Sequence, residues 1–157
     1  MDVDGTLTDG KIYLGSNGFE MKSFDIKDGY GIRNLLPLYE IEPVVITGRT
    51  SDIVSRRCKE LGITQLHQGI QDKKSLIKRM IPRQSLSQIA YIGDDLNDLS
   101  AMEMVRASGG VIGCPLDAAK EVKAVSHFVS QLSGGSGAVR DFIEWLISIL
   151  QQQLEHN

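Results

Sequence analysis

Near the start of the chain, Asp2-Val3-Asp4-Gly5-Thr6 places two acids on either side of one valine, followed by a glycine. Carboxylate oxygens suit a hard cation such as magnesium, which commonly takes one or two carboxylates plus waters and phosphate. One acid can attack phosphorus and become an aspartyl-phosphate; the other can protonate a leaving oxygen and then activate water. Residues two apart share a face of a strand, but the glycine bend can turn Asp4 away from Asp2. The same five residues also read as an ordinary Asp-Gly turn.

Three further stretches carry matching chemistry. Thr47 in Ile46-Thr47-Gly48 offers a hydroxyl and, with Gly48, freed amides before a helix N-terminus, a setting that holds phosphate oxygens. Lys73 falls in the first turn of an expected helix, against the preference of the macrodipole, and its ammonium can steady both a nucleophile and a phosphate. Gly93-Asp94-Asp95-Leu96-Asn97-Asp98 gathers three acids in five residues; crowded carboxylates repel, and a divalent cation offsets them. Each piece has a plainer alternative: a capped turn for Thr47, a solvated surface lysine for Lys73, an acidic helix start for the aspartates. Only their combination favours one site.

Stepping outward, the elements alternate. Apolar runs at Val44–Ile46, Ile63–Leu66, Ile89–Ile92, Gly110–Gly113 and His127–Val129 read as strands. Between and around them, helices are expected over Gly29–Leu38, from Ser51 to Leu61, and over Asp72–Met80, Asp98–Val105, Ala118–Ala124 and Gly137–Leu150. Asn17-Gly18 marks a hairpin within residues 11–25. This pattern predicts an α/β fold: a three-layer, Rossmann-like parallel sheet with a hairpin insertion. Residues 1–150 make one domain and 151–157 a C-terminal tail. Ligands of such sheets lie beyond the carboxyl ends of the strands, where the four stretches fall.

The chain has 157 residues and a net charge of -3, which argues against a general nucleic-acid binder. Cys58 and Cys114 do not make a disulfide framework, and no apolar run is long enough for a membrane span. A cytoplasmic setting is expected. Met1-Asp2-Val3-Asp4 reads as the end of a strand, which suggests that the natural chain or a fused domain extends upstream.

In order and spacing, these motifs resemble those of the haloacid dehalogenase superfamily of phosphotransferases. The resemblance implies that Asp2 is the nucleophile and Asp4 the general acid and base. It further implies that Thr47 and Lys73 assist, and that magnesium is bound by Asp2, Asp94 and the backbone carbonyl of Asp4, with Asp95 and Asp98 behind the ligands. Only about forty residues separate Gly5 from Thr47, too few for a cap domain. Asp9-Gly10, Lys27-Asp28-Gly29-Tyr30-Gly31-Ile32, Gln68-Gly69 and Gly134-Gly135-Ser136-Gly137-Ala138-Val139-Arg140 narrow the resemblance to the capless 3-deoxy-D-manno-octulosonate 8-phosphate phosphatases. That family implies a sugar-acid phosphate substrate and a homotetramer whose hairpins form a central barrel. Gly48, Arg49, Asp28 and Arg140 are the expected substrate contacts, Arg49 as a grip on a carboxylate. Related alternatives are a 2-keto-3-deoxynononate 9-phosphate phosphatase and a phosphatase-like, tetramer-forming domain of an acylneuraminate cytidylyltransferase.

Overall fold

The computed structural model describes residues 1–155. A hairpin, β1 (Tyr13–Leu14) and β2 (Glu20–Met21), comes first. It turns through Gly15–Phe19, where the Gly15 amide donates to the Phe19 carbonyl at 2.7 Å and Gly18 takes φ +80°. Then follow α1 (Ile26–Tyr30), β3 (Val44–Ile46), α2 (Asp52–Leu61), β4 (Gln65–His67) and α3 (Lys73–Met80). After these come β5 (Ala90–Ile92), α4 (Leu96–Ala107), β6 (Val111–Cys114), α5 (Lys120–Val125), β7 (Phe128–Val129) and α6 (Ala138–Glu155).

β3 pairs with β4, and β5 with β6 and β6 with β7, all parallel. The opening segment joins the two groups. The Met1 nitrogen donates to the Val44 carbonyl and Ile46 donates to the Met1 carbonyl, while the Asp2 amide donates to Ile92 at 3.1 Å. Met1 and Asp2 thus run between β3 and β5 and place the Asp2 side chain at the middle of the sheet.

Alternation along the strands divides the core in two. Val3, Val45 and Ile92 face α2, α6 and the turns that follow α1, packed with Val54, Phe142 and Ile32. Ile46, Tyr91 and Ile112 face α3, α4 and α5, packed with Ile77, Met102 and Val122. These are the expected three layers, and before β3, among the described residues, stand the hairpin and a short helical segment.

Several boundaries differ from expectation. The first helix starts at Ile26, not Gly29, because the Asp25 side chain accepts from the Lys27 and Asp28 amides. Its helical turns run on to Tyr39, one residue past the expected Leu38, but they change type on the way. Gly31–Leu35 loosens into a π turn closed by the Leu36 amide on the Gly31 carbonyl, and a 3-10 turn, Leu36–Tyr39, follows until Glu40 takes φ 55°. Proline lacks a donor, so it favours such a rearranged ladder or an early helical position. Ser51 occupies the N-cap of α2, but its hydroxyl makes no capping bond; its amide donates instead to Gln68 Oε1 at 2.8 Å. α4 starts at Leu96 because Asp95 and Asp98 form a capping box. Residues 151–155, expected in a tail, continue α6, since glutamine, leucine and glutamate are good helix formers. His156 and Asn157 lie outside the described residues.

Candidate active site

Lys73 is the hub. Although it opens α3, its side chain is wholly buried. Its ammonium donates to Asp2 Oδ1 at 2.6 Å and to Asp98 Oδ1 at 2.7 Å. A lysine is almost never fully buried unless paired, so the two carboxylates account for its position. Burial pulls its pKa down, but the charges of Asp2 and Asp98 outweigh that, and the net shift is upward. The plain expectation of a solvated lysine does not hold, because Asp2 and Asp98 hold the side chain inside the fold.

Asp98 is completely buried. Its Oδ1 accepts from Lys73 and from the Tyr91 hydroxyl at 2.7 Å; its Oδ2 accepts from the Asp94 amide at 3.2 Å and the Asp95 amide at 3.4 Å. Four donors occupy the four acceptor positions of one carboxylate. Asp98 therefore fixes the Gly93–Asp95 turn and Lys73 and has little capacity left for a cation. Burial and the Asp98 charge push the Tyr91 hydroxyl well above its ordinary pKa, which keeps it a donor. Gly93 is required here, since a Cβ would come within 2.5 Å of the Asp98 carboxyl carbon.

Asp94 emerges from that turn and accepts from the Thr6 hydroxyl at 2.8 Å through Oδ1. Gly5, at φ +95°, lets it approach; a Cβ there would lie 2.0 Å from Asp94 Oδ2. Oxygens of Asp2, Asp94 and Asp98 all lie within 4.8 Å of one another. Burial, joined by the charges of Asp2 and Asp98 and only partly opposed by Thr6, raises Asp94 to about 8. Asp2 is raised to about 6, first by burial and then by Asp98, against the pull of Lys73. Two carboxyls held so far above their ordinary range form a site deficient in positive charge. A divalent cation with a preference for oxygen fits it, and Asp2 and Asp94 have the capacity to hold one.

Thr47 is buried at the end of β3; its amide donates to the His67 carbonyl at 2.9 Å, and its hydroxyl accepts from the Arg49 amide at 3.4 Å. Gly48 accepts from Gln71 at 3.1 Å. Arg49 points outward toward the hairpin, 3.4 Å from Glu20. Beside it, a cleft of about 500 Å³ lies between Gly18–Glu20 and Thr50–Ile53. The Asp4 carboxylate stands apart from the three-carboxylate group and pairs with Lys22.

Three expected residues have other surroundings. Asp95 is exposed and caps α4 through its own side chain. Asp28 is buried, and its Oδ1 accepts from the Arg140 amide at 2.7 Å, tying α1 to the first turn of α6, while its Oδ2 is buried without a hydrogen-bond partner among the described residues. Burial raises it to about 6. The Arg140 guanidinium lies 2.6 Å from Glu144 and over the Tyr30 ring. Conversely, Thr6, Tyr91 and Lys22 were not singled out from the sequence. Thr6 belongs to the first motif, and Lys22 shares a strand face with Glu20 by the two-residue period, so both left a trace. Tyr91 reads only as strand.

No protein-family model matches the chain. Among proteins of known function, it is 41% identical over 149 residues to the 3-deoxy-D-manno-octulosonate 8-phosphate phosphatase KdsC of Escherichia coli strain K12, covering 94% of this chain and 77% of that protein. It is 40% identical over 156 residues to the KdsC of Yersinia pestis, covering 98% and 80%. Among solved structures, the 3-deoxy-D-manno-octulosonate 8-phosphate phosphatase of Moraxella catarrhalis, in complex with magnesium, phosphate and KDO, superposes with a TM-score of 0.85 at 39% identity, covering 94% of this chain and 83% of that one. The cobalt-bound deoxy-D-mannose-octulosonate 8-phosphate phosphatase of Haemophilus influenzae gives 0.83 at 36%, covering 94% and 84%. The similarity runs through nearly the whole chain: the chain belongs to the KdsC family of 3-deoxy-D-manno-octulosonate 8-phosphate phosphatases, within the haloacid dehalogenase superfamily.

Proposed function

We propose that this chain is a magnesium-dependent phosphoric monoester hydrolase that converts 3-deoxy-D-manno-octulosonate 8-phosphate to the free sugar acid and phosphate. The observation that carries the reading is the buried Lys73 ammonium between Asp2 and Asp98, with Asp94 alongside. Magnesium, held by Asp2, Asp94 and the backbone carbonyl of Asp4, would supply positive charge against the phosphoryl oxygens. Asp2 attacks phosphorus while Asp4 gives its proton to the departing sugar oxygen; Asp4 then takes a proton from the water that cleaves the aspartyl-phosphate. Lys73 neutralises and orients Asp2, and the Thr47 hydroxyl with the Gly48 amide faces the phosphate. Asp98 locks Lys73 and the Asp94 turn, with Asp95 capping the helix behind them.

Arg49, exposed beside Glu20, is the side chain suited to the sugar carboxylate. Asp28 and the first turn of α6 with Arg140 would contribute to substrate binding at a neighbouring subunit's site. A homotetramer built on the hairpin is supported by its exposed Ile12, Leu14, Phe19 and Met21. Two buried free cysteines accord with a reducing cytoplasm, and no helix among the described residues is long and apolar enough to cross a membrane. The test is phosphate release from a panel of eight- and nine-carbon ketosugar acid phosphates, with Asp2→Asn in parallel. Turnover should be highest on the eight-carbon ester and absent in Asp2→Asn with an unchanged circular dichroism spectrum. Substantial activity in that variant refutes the nucleophile.

A further inference from the structure

A second run of charge leads from the site onto the hairpin. Lys22, one residue past β2, has only 2% of its side chain exposed, and its ammonium pairs with the Asp4 carboxylate. It also lies 3.7 Å from Glu20, which in turn lies 3.4 Å from Arg49. Glu20 and Lys22 share the inward face of the strand, while Met21 between them faces out and is 51% exposed. The hairpin therefore commits a buried cation to a single acid of the first motif. Each aspartate of that motif has its own ammonium: Asp2 has Lys73 from α3, and Asp4 has Lys22 from the hairpin.

We infer that Lys22 is a positioning residue for Asp4, so that the hairpin is part of the acid–base machinery as well as an exposed apolar element. This rests on the reading of Asp4 above. As the bond between phosphorus and the sugar oxygen breaks, that oxygen takes the Asp4 proton, and the carboxylate left behind is held beside the Lys22 ammonium. In the second step Asp4, aimed from the same place, takes a proton from water as the water oxygen bonds to phosphorus and the Asp2–phosphorus bond opens. Without Lys22 the carboxylate faces Glu20 with no cation between them.

The test compares Lys22→Met, Lys22→Arg and Asp4→Asn on the sugar phosphate and on p-nitrophenyl phosphate, whose leaving group needs no proton. Lys22→Met should lower kcat on the sugar phosphate about ten- to a hundred-fold, a part of what general acid–base catalysis supplies, with KM little changed. On p-nitrophenyl phosphate it should release one rapid equivalent of nitrophenolate per site, then turn over slowly, because only the second step still needs Asp4. Lys22→Arg should restore most of the rate. Wild-type kcat in Lys22→Met overturns the inference. So does an equal loss on both esters with no burst, which marks a general structural role. Asp4→Asn distinguishes the two levels: if it turns over normally, the acid–base reading itself fails. If it is crippled while Lys22→Met is normal, only the role of Lys22 falls.

Discussion

Replacing Asp94 with asparagine should make the metal-free protein more stable, although it removes a residue proposed to bind the cation. Asparagine keeps the shape and an oxygen to accept from the Thr6 hydroxyl, now at 2.8 Å. What it removes is a carboxyl that must take up a proton to fold, because burial and the neighbouring carboxylates oppose its charged form. The carboxyl moves from an ordinary 3.8 to about 8 in the folded chain. At about 1.4 kcal/mol per unit, that caps the destabilisation near 6 kcal/mol. Asp94 is half-buried and its neighbours relax, so a gain of about 2 kcal/mol near pH 7.5 is the expectation, roughly 4–8 °C in Tm for a chain of this size. Between pH 4 and pH 8 the folded carboxyl holds its proton and the unfolded one does not. The folded state thus binds more protons, and stability falls as pH rises through that window. Asparagine removes this slope and leaves the smaller ones of Asp2 and Asp28, each raised to about 6. Magnesium reverses the order: the wild type gains about 2.7 kcal/mol at a hundredfold excess over Kd, and the variant much less. Thermal unfolding followed by circular dichroism from pH 5 to pH 8.5, in chelator and in magnesium, reads both effects. An Asp94→Asn protein less stable than wild type in chelator, or stabilised equally by magnesium, would refute the account of the site as a cluster deficient in positive charge.

Lys73→Met should cost about 3–5 kcal/mol in the metal-free protein, because it strands the buried Asp2 and Asp98 carboxylates; urea denaturation checks this, and a change under 1 kcal/mol contradicts it. Gly5→Ala should displace Asp94, since its Cβ would fall 2.0 Å from Oδ2 at a φ of +95°; weakened magnesium binding by calorimetry, with kcat lowered in proportion, is the expected result. Leu14→Ser with Phe19→Ser should shift the protein toward smaller species in sedimentation velocity while each chain stays folded, and an unchanged sedimentation coefficient would argue against assembly through the hairpin.

The alternation of short apolar runs with helical periods was enough to predict a parallel α/β sheet, because burial on both faces demands apolar strands and each crossover demands a helix. Local chemistry also placed Asp2, Thr47, Lys73 and Asp94 at strand ends, where ligand-binding loops converge. The same local signals misjudged Lys73 taken by itself, since neither a lysine's burial nor its partners can be read from its neighbours along the chain. Its ammonium meets Asp2 from 71 residues away and Asp98 from 25. Only the packed sheet decided that Asp98 spends its oxygens on Lys73, Tyr91 and two amides while Asp94 keeps capacity for a cation, that Asp28 closes the start of α6, and that Asp4 takes its counter-charge from the hairpin. Composition and periodicity act over one or two turns of chain. Which charges share a dry space depends on how β3, the opening segment and β5 bring distant loops to one edge, and electrostatic partners in such a space are chosen by distance, not by order in the sequence.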